Sequence, residues 1–271
     1  MRIVLITGAS SGMGAEFARQ IDRTEKNIDA IWLIARRQDR LQAVAERLHH
    51  EAKVLPMDLT DRSSFALLDQ LLREMEAEVG VLVNCAGFGK IGNYAAVGAD
   101  DSVNMINLNC SAAVEITLTC LPYMKAGDRI IQLCSTAAFQ PQQQINVYSA
   151  TKAFLYSYTR ALRMELLPRK IAVLAVCPYW VKDTEFIGIA EKEKTGGAEA
   201  DRPEKAEKAR KPINNYFGAT TKSRVVKSAL RCSRRGWAVC TPGVVCTLDR
   251  IFAKLLPKQA YLYIWELLRR A

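Results

Sequence analysis

Tyr148 and Lys152 stand four residues apart in the stretch from Ser135 to Lys152, where the chain concentrates groups able to do chemistry. On a helix that spacing puts both side chains on one face. A phenol ionises at about pH 10 when unperturbed, and a nearby ammonium favours the phenolate. Such a phenol can hand a proton to a ketone oxygen or take one from an alcohol. Ser135 places a hydroxyl thirteen residues before Tyr148, directly after the apolar run 130–134. Asn109 lies among apolar neighbours in a helical pattern, where an amide competes with the helix ladder. It therefore satisfies a buried partner or has a task. A Tyr–Lys pair by itself is equally an ordinary helix start beside a solvated charge, so the surrounding elements have to decide.

Those elements alternate. Residues 2–6 read as a buried strand and run into Thr7-Gly8-Ala9-Ser10-Ser11-Gly12-Met13-Gly14, followed by a helical pattern over 15–21. A strand, a glycine-rich turn and a helix start form a phosphate cradle: backbone N–H groups approach a pyrophosphate, and the helix N-terminus adds its positive dipole end. Residues 30–35 form the second strand, with Arg36 and Arg37 at its end and no acid there. A 2′-phosphate prefers Arg at that place, so NADP(H) is favoured over NAD(H) as cofactor. A third strand at 53–57 ends in Asp58-Leu59-Thr60, where the acid faces an adenine or caps the next helix, over 61–79. The fourth strand closes in Asn84-Cys85-Ala86-Gly87, small residues that admit a backbone or a flat ring. A long helix over 101–124, strands at 128–134 and 171–177, a helix over 148–167 and Pro178-Tyr179-Trp180-Val181 complete the pattern. Unbroken alternation predicts an α/β fold, a Rossmann-type doubly wound parallel sheet of about seven strands with helices on both faces. Ligands then bind beyond the strands' C-terminal ends, where Gly8, Asp58, Gly87, Ser135 and Pro178 all fall.

One domain spanning 1–271 is expected. Within it, 185–222 is polar, with charges of alternating sign, and reads as a lid or as a solvated insertion. A helix from 221 and a short strand at 237–241 follow, and 243–271 forms an amphipathic tail with aromatics and basic ends. Such a tail is core, a subunit contact or a membrane-surface helix. From Glu185 onward there are 18 Lys+Arg against 9 Asp+Glu, so +9 of the net +10 lies in the last third. That asymmetry points to an anionic partner, and the interleaved acids argue against nucleic acid. Eight cysteines lack CxxC spacing and read as buried free thiols in a reducing cytosol, so a cytoplasmic protein is expected. The two histidines are adjacent at a polar helix end, which speaks against a His-based site, and no metal is expected. Phe88, Phe139, Tyr179, Trp180 and Phe186 cluster on the ligand edge and predict an apolar pocket.

The chain resembles the classical short-chain dehydrogenases/reductases over roughly residues 2–184. The turn Thr7-Gly8-(three residues)-Gly12-Met13-Gly14 matches that family's cofactor loop, Asp58 its adenine-side acid, and Asn84-Cys85-Ala86-Gly87 its Asn-Asn-Ala-Gly segment. Asn109, Ser135, Tyr148 and Lys152 match its catalytic tetrad. The resemblance implies hydride transfer between nicotinamide and a carbonyl or carbinol carbon. Tyr148 would carry the proton, Lys152 would tune it and hold the ribose, Ser135 would bond the substrate oxygen, and Asn109 would support a water-linked path. Pro178, Val181 and Thr184 would meet the nicotinamide end. Cys85 departs from the pattern, as do Tyr179 in place of Gly and an extra Asp183 before Thr184. The resemblance implies a homodimer or homotetramer, and the tail is similar to that of members acting on lipophilic substrates. The reading is an oxidoreductase for a hydroxysteroid-like or other lipophilic alcohol or ketone. Its alternatives are a membrane-associated 3-ketoacyl or lipid carbonyl reductase, and a non-catalytic dinucleotide-binding regulator.

Overall fold

A computed structural model describes residues 1–186, 190 and 218–270. Seven parallel strands form one sheet in the order β3-β2-β1-β4-β5-β6-β7. They are β1 (Arg2–Thr7), β2 (Ala30–Ala35), β3 (Glu51–Pro56), β4 (Glu78–Asn84), β5 (Arg129–Leu133), β6 (Ala172–Val176) and β7 (Val239–Cys240). The helices are α1 (Gly12–Thr24), α2 (Gln38–Ala45), α3 (Ser63–Glu74), α4 (Ala99–Ile106), α5 (Ala112–Cys120), α6 (Asn146–Glu165), α7 (Lys222–Arg234), α8 (Val244–Leu255) and α9 (Lys258–Arg270). Winding outward from β1 in both directions puts the topological switch point between β1 and β4, the crevice where open α/β sheets bind ligands.

The inner strands are buried on both faces because helices cover both. In β1, Ile3 and Leu5 point to a cluster with Phe65, Leu68, Ile116 and Leu162 of α3, α5 and α6. Val4 and Ile6 point the other way, to Phe17, Ile21, Leu41, Val225 and Leu230 of α1, α2 and α7. This period of two over a run with no polar residue is what a doubly covered parallel strand requires.

The single long helix expected over 101–124 is interrupted. Between α4 and α5 the chain makes a wider π-type turn, Asn107–Ser111, and α5 ends in a tight turn at Leu121–Tyr123. An extra residue in the turn re-aims the side chains that follow it, and such turns recur at functional sites. The lid expectation over 187–189 and 191–217 lies outside the described residues.

One buried charge ties the sheet's N-terminal edge together. Asp128 is fully buried, accepts from Arg2 Nη2 at 2.5 Å and from the Lys125 N–H at 2.5 Å, while Arg2 also pairs with Glu78. Removing one partner of a buried ion pair strands the other. Arg2→Ala is expected to lower unfolding stability by about 3 kcal/mol in chemical denaturation. Lys125→Ala, which leaves the backbone N–H in place, should cost less than half of that.

Candidate active site

The glycine turn is shaped by contacts that a side chain would prevent. Gly8 has φ +65°, and a Cβ there would lie 2.8 Å from the Ala86 nitrogen. A Cβ on Gly14 would lie 2.2 Å from the Gly8 carbonyl oxygen. Thr7 Oγ1 accepts from both the Cys85 and Ala86 N–H groups at 3.1 Å. The start of α1 is thus locked against the end of β4.

A cavity of about 720 Å³ runs along this edge. Gly8, Ser10, Ser11, Gly12, Met13 and Gly14 line one end, with Arg36, Arg37, Asp58 and Leu59 beside them. Ala86, Gly87, Ser135, Tyr148, Lys152, Pro178, Val181 and Thr184 line the middle and far end. Phe88, Tyr179, Trp180 and Phe186 line it too, and the Phe186 ring centroid stands 5.3 Å from that of Tyr148. Asp58 serves both alternatives read from the sequence in part: it faces the cavity, and its Oδ1 accepts from the Thr60 N–H at 2.9 Å and hydroxyl at 2.8 Å. That turn precedes α3 rather than capping it.

Three expected site residues are placed elsewhere. Asn84 is buried behind the wall, its amide donating to Thr117 Oγ1 at 3.0 Å. Phe139 packs edge-on to Tyr156, 5.5 Å between centroids, on the covered side of α6. Asn109 does not line the cavity. Its Oδ1 accepts from the Phe88 N–H at 3.0 Å, and its Nδ2 donates to the Phe88 carbonyl at 2.9 Å and to Thr151 Oγ1 at 3.0 Å. The amide set down by the π-type turn clamps the loop after β4 onto α6.

Other lining residues came from no motif. Lys90 and Asp101, 3.5 Å apart, and Gln142 and Ile145 join the wall, as does Trp265 from α9. Trp265 Nε1 donates to the Gln143 carbonyl at 3.1 Å, and its ring packs with Ile145, Ala137 and Tyr261. The apolar periodicity of the tail signals that one face is buried, and nothing local says against what.

The phenol, hydroxyl and ammonium meet at one place. Ser135 stands two residues beyond β5 and its Oγ accepts from the Ala137 N–H at 3.1 Å. Lys152 Nζ donates to the Leu133 carbonyl at 2.8 Å and stands 5.7 Å from the Tyr148 ring centroid. A hydroxyl and a phenol at an apolar cavity can bond one substrate oxygen and exchange a proton with it.

Among proteins of known sequence and structure, the short chain dehydrogenase family model matches residues 2–194. The chain belongs to the short-chain dehydrogenase family. It is 32% identical over 204 residues to the NADP-dependent 3-hydroxy acid dehydrogenase YdfG of Escherichia coli (strain K12), covering 73% of this chain and 79% of that one. A short-chain dehydrogenase from Sphingobium yanoikuyae in complex with NADPH superimposes with a TM-score of 0.73 at 28% identity, over 94% of this chain and 93% of the other. The bulky-bulky ketone specific alcohol dehydrogenase from Comamonas testosteroni gives 0.72 at 25% identity, over 94% and 93%. As a short-chain dehydrogenase the chain is an NAD(P)-dependent oxidoreductase. No helix among the described residues is long and apolar enough to cross a membrane.

In the chain without cofactor, burial acts against the tuning that the Tyr148–Lys152 spacing implies. Burial instead pushes the Tyr148 phenol well above its ordinary range, and hydrogen bonding to Ser135 only partly offsets it. Burial also lowers Lys152. The neighbouring thiols follow the same rule, with Cys85 pushed up to about 12. All eight cysteines are free. In the protein without added cofactor, Tyr148 should therefore hold its proton beyond the range of exposed tyrosines. Ultraviolet tyrosinate titrations of the wild type and Tyr148→Phe should superimpose up to about pH 10, where ordinary phenols ionise. A phenolate signal below that pH, missing only in the variant, would contradict this placement.

Proposed function

We propose that the chain is an NADP(H)-preferring reductase or dehydrogenase of a lipophilic ketone or secondary alcohol. The observation that carries this reading is the convergence of Ser135, Tyr148 and Lys152 on the same cavity as the glycine turn. Residues suited to the cofactor are present along its length. The turn from Gly8 to Gly14 would hold the pyrophosphate, Asp58 and Leu59 the adenine, and Val181 and Thr184 the nicotinamide end, with Lys152 on the ribose. When bound, the nicotinamide supplies or accepts the hydride.

The chain's own groups would do the rest. Ser135 Oγ bonds the substrate oxygen where charge develops. Tyr148 donates its proton to that oxygen in reduction and recovers it in oxidation. Its raised affinity for the proton suits a group that keeps the proton until an acceptor is in place. Once the proton has left, the buried ammonium of Lys152 stabilises the phenolate, since opposite charges attract strongly where water is excluded. Asn109 acts as a positioning residue, holding the backbone of Phe88 and thereby the cavity wall. Four aromatic side chains and Trp265 leave a largely apolar substrate end, which fits a bulky hydrophobic carbonyl compound, hydroxysteroid-like or acyl. The ketone-specific relative from Comamonas testosteroni supports that substrate class. A non-catalytic regulator would need the cavity but not the phenol.

A homodimer or homotetramer is part of this reading. Val103 and Ile106 of α4, Leu118 of α5 and Phe154 and Met164 of α6 are exposed together with Leu167 just beyond. Three successive helices presenting apolar side chains suit contact with a second copy.

Tyr148→Phe should reduce turnover at least about 100-fold while NADPH binding, followed by its fluorescence, is retained. Near-normal turnover would remove the assignment.

The cofactor preference rests on the arginines. Arg37 Nη2 donates to Ser10 Oγ at 3.2 Å and Ser11 Oγ at 3.1 Å, and pairs with Glu185 at 3.5 Å. Arg40, one turn into α2, pairs with the same carboxylate at 2.7 Å. A 2′-phosphate would take these guanidinium groups over from Glu185. Arg37→Ala should weaken NADPH binding about tenfold and leave NADH little changed, as loss of one charge-assisted contact predicts. Glu185→Gln should tighten NADPH relative to NADH in the same titration.

A further inference from the structure

The two tail helices bury one face and present a second apolar face outward. In α8 the exposed apolar residues are Val244, Leu248, Ile251, Phe252 and Leu255. At helical spacing these five fall within an arc of about 100°, a single stripe. Val244 is 75% exposed and Leu255 73%. The opposite side carries Cys246, which is buried, and Asp249, whose carboxylate accepts from Tyr261 Oη at 2.7 Å. In α9 the buried side is Tyr261 and Trp265, and Tyr263, Ile264 and Leu267 face out. An apolar stripe of this extent on the outside of two consecutive helices marks a surface that meets something apolar.

Charge selects the partner. Over residues 243–271 there are five basic residues, Arg250, Lys254, Lys258, Arg269 and Arg270, against two acids, Asp249 and Glu266. Lys254 and Lys258 are exposed. Asp249 is spent on Tyr261, and Glu266 is only half-exposed. A two-fold contact with a second copy would bring Lys254 and Lys258 against the same two lysines of its partner. A second copy also has the apolar face of α4, α5 and α6 to meet. Apolar side chains accompanied by the exposed Lys254 and Lys258, on helices too short and too polar to span a bilayer, complement a layer of acyl chains under anionic headgroups.

We infer that the outward face of α8 and α9 is a docking surface for an anionic lipid membrane. The helices would lie in the interface plane with Leu248, Phe252, Leu255 and Leu267 among the acyl chains. The same α9 sends Trp265 into the cavity wall, so the docked face and the substrate end of the cavity are opposite sides of one helix. The inference stands on the surface and is independent of the reaction proposed above.

The test uses the full chain and sedimentation with vesicles. The protein should pellet with vesicles of phosphatidylcholine and phosphatidylglycerol, and much less with phosphatidylcholine alone. Raising the salt to about 0.5 M should release most of it, because screening shortens the reach of the basic groups. Phe252→Ser combined with Leu255→Ser should weaken partitioning about tenfold or more. Lys254→Glu combined with Lys258→Glu should abolish the preference for anionic vesicles. Circular dichroism and the melting midpoint check that both double variants are folded. Failure to pellet with anionic vesicles, or wild-type pelleting by both double variants, overturns the inference. So does an apolar variant that changes only the oligomer size in gel filtration while vesicle binding persists, which would assign the face to a second copy.

Discussion

Two backbones touch at the centre of the sheet, and the rest of the site is arranged by that contact. The turn after β1 runs so close to the end of β4 that a Cβ at Gly8 would sit 2.8 Å from the Ala86 nitrogen. Gly14 then has to pass the Gly8 carbonyl with no side chain of its own. Thr7 spends its hydroxyl on the Cys85 and Ala86 N–H groups, which would otherwise be buried donors without an acceptor. Because the switch point lies between these strands, the same closeness opens the crevice on either side of it. The orientation of α1, the path of the loop through Phe88 and the position of the amide at Asn109 are consequences.

Burial is the second governing term, and it acts on both members of the Tyr148–Lys152 pair. It raises the phenol and lowers the ammonium, in each case favouring the neutral form. The two shifts bring opposite ionisation tendencies into one apolar space. The free thiols around them, Cys85 and Cys110, are held protonated by the same burial and contribute volume rather than charge.

Much of the fold could be read from the sequence because its signals are local. Doubly buried strands are continuous apolar runs, and the glycine turn follows the first of them directly. The α/β order and the resemblance to the family are accordingly legible in the residues alone. What escaped was decided over distance. Asn109 was marked as anomalous in a helix, but its partners, Phe88 and Thr151, lie 21 and 42 residues away. Asn84 at the end of β4 and Phe139 in the loop after β5 lie on the ligand edge in the sequence, yet packing against α5 and α6 takes them instead. Trp265 and Arg40 carry no motif, and only the folded chain brings the first to the cavity and the second to Glu185. The helix read over 61–79 runs only over Ser63–Glu74, since no capping side chain marks either end in the sequence.

The cavity's two ends are built from opposite ends of the chain. Its dinucleotide end is assembled from β1, α1 and β2, and its far wall waits for α9. In chain order the first stands near the N-terminus and the second near the C-terminus, so the far wall is the last part of the cavity to be supplied. The far wall closes only where Trp265 reaches back across more than a hundred residues to the Gln143 carbonyl.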